Sequence, residues 1–233
     1  DDNRSRFVQV NGIELHYMDW GGEGPALLFI PGLGNSAHIF DDIAPLFTND
    51  HRVIALTRRG HGQSDKPSAG YDTATLVSDI LAFLDRRESE SVTMIGHSLA
   101  GDELTRFAGE FPGRVDGLVY LDAAFDRADL MDVVQAAPYE PSVPGPEDLV
   151  SVDTYRDWLI ANQYGFWSPA LETELQLQAA GHVTPPAVTA ALMEGSAQAN
   201  IDYTLIQAPA LAIYDIVGLD DIMPAGADST LAA

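Results

Sequence analysis

Short, continuous apolar runs separated by amphipathic stretches constrain this chain more than any other feature. "ALLFI" (26–30), "RVIAL" (52–56), "SVTMIG" (91–96) and "VDGLVYLDAA" (115–124) recur through the first half, and "APALAIY" (208–214) returns near the end. Each is too short for an independent helix and shows no polar alternation, the pattern of a strand covered on both faces. Between them lie helical patterns. "YDTATLVSDILAFLDRR" offers Asp72 as an N-cap and apolar residues at 76, 77, 80, 81 and 84. "SLAGDELTRFAGEFPG" sets Leu104, Phe107, Ala108 and Phe111 on one face and stops at Pro112–Gly113. Upstream, "FVQV" and "IELHYM" flank an Asn-Gly pair, a hairpin signal. Strands alternating with helices predict an α/β fold: a mostly parallel sheet opened by an N-terminal antiparallel hairpin.

Residues 126–206 read differently. They hold a proline-rich link, "APYEPSVPGPEDL", and short amphipathic pieces such as "TYRDWLIANQYGFW" and "PAVTAALMEG". The division expected is a core of residues 1–125 and 207–233 with a helical cap or lid at 126–206. Tyr155, Trp158, Leu159, Phe166 and Trp167 in that segment suit either an apolar pocket roof or packing of the cap on itself.

Composition narrows the partners. The chain is 46% hydrophobic, enough for a core, and carries a net charge of −23. Residues 1–127 hold 11 basic and 20 acidic side chains; residues 128–233 hold one basic (Arg156) and 15 acidic. Such a field repels nucleic acid and anionic membrane surfaces, so neither is an expected partner. No apolar run is long enough to span a bilayer. Cysteine is absent, which removes disulfides, thiolate metal sites and a thiol nucleophile. The opening "DDNRSRF" has no apolar signal core, and so does not separate a cytoplasmic chain from a secreted one already processed. Neither a metal-ligand spacing, a phosphate loop nor a dinucleotide fingerprint is present, and no cofactor is expected; "GGEG" (21–24) precedes its strand instead of following it.

The chemistry centres on "TMIGHSLAGDE" (93–103). A strand that turns sharply into a helix exposes the side chain at the bend and aims helix N-terminal amides at it. Ser98 occupies that bend, with Gly96, Ala100 and Gly101 small enough for strand and helix to crowd together. The pattern departs from G-x-S-x-G in having Ala100 at the fifth position, and a helix-capping serine can produce a similar string. A second piece is "LLFIPGLGNSAHIF", a glycine-flanked loop directly after a strand. Leu33 would supply one oxyanion-hole amide and Leu99, following the serine, the other.

With these pieces in place the chain resembles the α/β-hydrolase superfamily, in its lipase, esterase and haloperoxidase-like branch with a helical cap. The resemblance rests on "FVQVNGIELHYMDWGGEGPALLFIPGLGNSAHIFDDIAPLF", "RVIALTRRGHGQSDKP", "VTMIGHSLAGDELTRFAGEFPGRVDGLVYLDAA" and "APALAIY", in order over about residues 6–125 and 208–214. "PGLG" stands where His-Gly is common and Thr57 where an aspartate is frequent. Relatives with an aspartate at the elbow open epoxides or displace halide; Ser98 implies acyl transfer, the hydrolysis of a small carboxylic ester or lactone.

The resemblance also implies that an acid and then a histidine follow the serine. Of the six histidines, five (His16, His38, His51, His61 and His97) precede Ser98, and His182 falls in the expected cap. His38 and His61 could line a pocket mouth, but surface loop positions are the favoured expectation. For the acid, Asp122 ends an apolar run, and Asp220 matches the superfamily's commoner position, with Asp215 nearer the strand. Superfamily members continue beyond a strand like 208–214 with a further strand, a histidine loop and a closing helix. On that comparison the last strand and helix are expected to be missing here, leaving "ALAIY" as a sheet edge and activity weak. Two functions stay open: a serine hydrolase acting through Ser98, and a non-catalytic member of the fold that binds a small apolar ligand.

Overall fold

The computed structural model describes residues 3–125 and 142–214. Seven strands form one sheet: β1 (Ser5–Val10), β2 (Ile13–Gly21), β3 (Ala26–Ile30), β4 (Arg52–Leu56), β5 (Val92–His97), β6 (Val115–Leu121) and β7 (Ala210–Ile213). Their order across the sheet is β1-β2-β4-β3-β5-β6-β7. The β1–β2 and β2–β4 pairs are antiparallel and the rest are parallel. The hairpin closes where expected: Val10 faces Ile13, and Asn11 and Gly12 carry φ of 49° and 79°. Both central residues of such a tight turn need positive φ, which Asn and Gly tolerate best.

The continuous apolar runs are explained by cover on both faces. Leu28, Ile30, Ile54, Leu56 and Met94 share a core with Val77, Ile80, Phe83 and Leu84 of α1 (Thr73–Arg86), and with Leu104 and Phe107 of α2 (Ala100–Glu110). Their alternate neighbours Leu27, Phe29, Val53, Ala55 and Ile95 pack on the opposite side with Ala37, Phe40 and Ala44. Asp72 caps α1 by accepting from the Thr75 amide at 2.9 Å.

Between β6 and β7 the described residues form α3 (Val152–Leu159), α4 (Pro169–Ala179) and α5 (Pro186–Ala197). Trp158 and Leu159 cluster with Leu175 of α4, against Tyr155, Tyr164 and Trp167, so these aromatic residues pack largely on one another. Phe166 is 61% exposed. The segment is fastened to the sheet domain at polar points. Buried Glu174 of α4 accepts from both the amide and the hydroxyl of Ser36, and the Ser196 hydroxyl donates to Asp102 of α2. Burial raises the pKa of Glu174, opposed by its hydrogen bonds from Ser36. Gly195 lets α5 close on the chain ahead of α1, since a Cβ there would stand 2.5 Å from the Tyr71 carbonyl oxygen.

His38 and His61, expected on the surface, are buried instead. His61, in the turn that follows β4, hydrogen-bonds the Arg59 carbonyl at 3.2 Å, and His38 bonds Asp41 at 2.8 Å. Burial, the largest cause for both, pulls the pKa of His61 and His16 down to about 3, so both rings are neutral in the fold. Among the described residues β7 ends the strand order, with Leu211 and Ile213 about half exposed.

Candidate active site

Ser98 stands directly after β5, at the carboxyl end of a central parallel strand, where open α/β sheets form their binding crevice. Its φ is +51°, a left-handed conformation that a serine adopts only when its surroundings hold it there. Its amide donates to the Leu121 carbonyl at 3.1 Å, which ties the bend to the end of β6. Leu99 is already helical and α2 begins at Ala100, so the chain reverses within about one residue.

The small residues around the serine have separate tasks. A Cβ on Gly96 would lie 2.8 Å from Leu104 Cδ1 and 3.1 Å from Ala100 Cβ. A Cβ on Gly101 would collide with the backbone carbonyl of Ala123. The tightest contact of the helix start, with the chain just after β6, therefore falls at position 101 rather than 100, and Ala100 is tolerated where a glycine is usual.

The loop after β3 reaches this bend. A Cβ on Gly32 would stand 3.3 Å from Ser98 Cβ and 2.6 Å from His97 Nδ1, so the loop backbone lies directly against the elbow. Leu33 packs in the same apolar cluster as Leu99, together with Tyr71, Leu76 and, from α5, Val188 and Leu192. The two residues named as oxyanion donors thus share one cluster under α5. Among the described residues neither the Leu33 nor the Leu99 amide engages in a backbone hydrogen bond in the loops and caps.

Asp122 follows β6 with φ of +47°, its amide donating to the Ile213 carbonyl at 2.7 Å and its side chain exposed. Its charge is felt by His97, whose pKa is lowered first by burial, with Asp122 pulling it back up and Arg58 adding to the fall. Asp215 and Asp220 lie outside the described residues. Several other histidines are engaged away from the serine. His16 bonds Ser5 and Thr57, at 3.0 and 2.8 Å, and His38 bonds Asp41 at 2.8 Å. None of the hydrogen bonds made by the histidine rings goes to Ser98. Among the described residues no group of three or more His, Asp or Glu side chains is arranged to hold a metal ion.

Two ionic side chains beside the site carry no advance signal in the sequence. Arg58 and Glu103 are 3% and 1% exposed. The Arg58 Nε donates to Glu103 Oε1 at 2.9 Å, and its Nη1 donates to the Gly32 carbonyl at 3.0 Å. An arginine in "LTRRGHG" reads as a solvated loop residue, and its acidic partner lies 45 positions away.

Comparison with known proteins agrees with this architecture. The family model for the alpha/beta hydrolase fold matches residues 25–182. A non-heme chloroperoxidase of Streptomyces lividans is 37% identical over 116 residues, spanning 48% of this chain and 42% of that protein. A 2-(acetamidomethylene)succinate hydrolase of Mesorhizobium japonicum is 28% identical over 152 residues, spanning 65% of this chain and 54% of that protein. The chain thus spans about half the length of these curated relatives. The crystal structure of an E-2-(acetamidomethylene)succinate hydrolase superposes with a TM-score of 0.69 at 23% identity, covering 89% of this chain and 79% of that one. With the parallel sheet, the strand-to-helix bend and a family model matched over most of its length, this chain belongs to the alpha/beta hydrolase fold family.

Proposed function

We propose that this chain is a serine hydrolase of small carboxylic esters or lactones, acting through an acyl-enzyme on Ser98. One observation carries the reading: a serine held at positive φ between β5 and α2, against a loop whose Leu33 amide, like that of Leu99, makes no backbone hydrogen bond in the loops and caps among the described residues. Ser98 Oγ would attack the carbonyl carbon while the carbonyl π pair moves to oxygen, and the two amides would hold the resulting oxyanion. Collapse would expel the alkoxide, which leaves as the alcohol by taking up from solvent the proton that Ser98 Oγ gave up on attack. Water would then attack the acyl carbon and release the carboxylic acid and free Ser98. The helices α3–α5 would serve as the lid, with Val188 and Leu192 lining its underside. Asp122, at the end of β6 with its charge felt by His97, is taken as the acid, with Asp220 as the alternative.

A specific observation favours the second reading, a non-catalytic fold that binds a small apolar ligand: no histidine is hydrogen-bonded to Ser98. Substrate profiling separates the two. Hydrolysis of p-nitrophenyl butyrate or γ-butyrolactone above the buffer rate is expected, with no halide released from haloacetates. Saturable binding of the ester without any turnover would instead establish the binder.

A further inference from the structure

Arg58 belongs to no step of the acyl-transfer scheme, yet its guanidinium is the buried cation beside the elbow. It has two destinations. Nε and Nη2 lie 2.9 and 2.6 Å from Glu103 Oε1, on the helix that begins just after Leu99. Nη1 donates to the carbonyl of Gly32, the residue before Leu33, at 3.0 Å. Stability alone is a poor reason for such a pair, because desolvating two charges offsets most of their attraction, and an apolar replacement of similar volume is often neutral.

We propose that Arg58 is the positioning residue of the oxyanion hole: by holding the Gly32 carbonyl on one side of the loop it turns the Leu33 amide toward Ser98. The proposal rests on the acyl-enzyme reading above. A peptide unit is planar, and in its trans form C=O and N–H point in opposite directions. No cis peptide occurs among the described residues. Fixing the Gly32 oxygen on Arg58 therefore fixes the direction of the Leu33 hydrogen. The loop needs such an anchor. Gly32 carries no Cβ, so its ψ, one of the two torsions that turn the Gly32–Leu33 peptide, is less restricted than in other residues. A rotated peptide would aim a carbonyl dipole at the developing negative charge, where a donor is needed. Through Glu103 the same guanidinium also braces the loop against α2, and so sets the spacing between the Leu33 and Leu99 amides.

The test uses the double variant Arg58→Met/Glu103→Leu, which removes both charges together and keeps volume, alongside Arg58→Lys. Hydrolysis of a p-nitrophenyl ester is measured beside its thiono analogue, whose sulfur is a poor acceptor for oxyanion donors. The expected result is a fall in kcat of roughly 100-fold, the scale of one oxyanion donor, with KM changed less than about threefold. The oxo-to-thiono rate ratio should collapse toward unity while the urea midpoint stays near wild type. A merely structural role would move the midpoint or KM and leave that ratio unchanged. A folded double variant with wild-type kcat and ratio overturns the positioning role alone. Wild-type turnover that survives Ser98→Ala overturns the acyl-enzyme reading, and the positioning role with it.

Discussion

Added imidazole is expected to raise ester turnover by this chain at least tenfold, and Ser98→Ala is expected to remove the increase. A serine hydroxyl is a weak nucleophile at neutral pH, and a positioned general base is worth roughly 10²–10⁴ in rate. The hydrogen bonds of His16, His38 and His61 all lead elsewhere, and His97 leans on Gly32 instead of offering a hydrogen bond to the serine. These residues alone should therefore support only the acceleration that oxyanion donors and binding provide, on the order of 10³–10⁴ over water. A free base can recover part of the missing proton transfer, less than a tethered one because each encounter must be oriented anew. Spectrophotometric release of p-nitrophenolate at constant pH and ionic strength, over an imidazole series, reads the effect. An identical imidazole increment in Ser98→Ala would show that imidazole attacks the ester directly.

Asp79→Ala is expected to destabilise the fold by about 3–5 kcal/mol, the scale for stranding one partner of a buried ion pair. Asp79 is 3% exposed and receives Arg59 through two bonds, Nε at 2.6 Å and Nη2 at 2.8 Å, while Asn11 Nδ2 donates to it at 2.9 Å. One carboxylate on α1 thus joins the turn after β4 to the β1–β2 hairpin. Its removal leaves a guanidinium at 6% exposure with no counter-charge. Urea unfolding followed by circular dichroism checks the value, and the double variant Arg59→Met/Asp79→Leu should recover most of it. A loss below about 1 kcal/mol in Asp79→Ala would mean that water reaches the Arg59 head despite its burial.

The sheet was legible because its strands are covered twice. Leu27 and Leu28 face opposite cores, so the run "ALLFI" shows no polar alternation at all. The elbow was legible because crowding leaves a trace of small residues, and Gly101 marks where α2 meets the chain just after β6. Helix α4 falls inside the segment read as helical, but its own pattern is weak. Its inward row is Ala170, Leu171, Glu174 and Leu175, and the glutamate breaks the apolar pattern although it is buried on Ser36. The burial of His38 and His61, and the Arg58–Glu103 pair, depend on contacts that no local pattern encodes. Thr57, standing where an aspartate is frequent, is used locally: its hydroxyl oxygen accepts from the Ala37 amide at 2.9 Å and bonds His16. The place of Asp122 at the end of a strand was legible from the apolar run before it, whereas its nearness to His97 depends on the pairing of β5 with β6.

The most direct measurement is the mass and position of the adduct left by a fluorophosphonate on the folded chain in imidazole buffer. The account predicts one phosphonyl group per chain, mapped by peptide fragmentation to the "GHSLAG" segment at Ser98 and absent from Ser98→Ala. An unmodified chain, or a label that persists in Ser98→Ala, would contradict it.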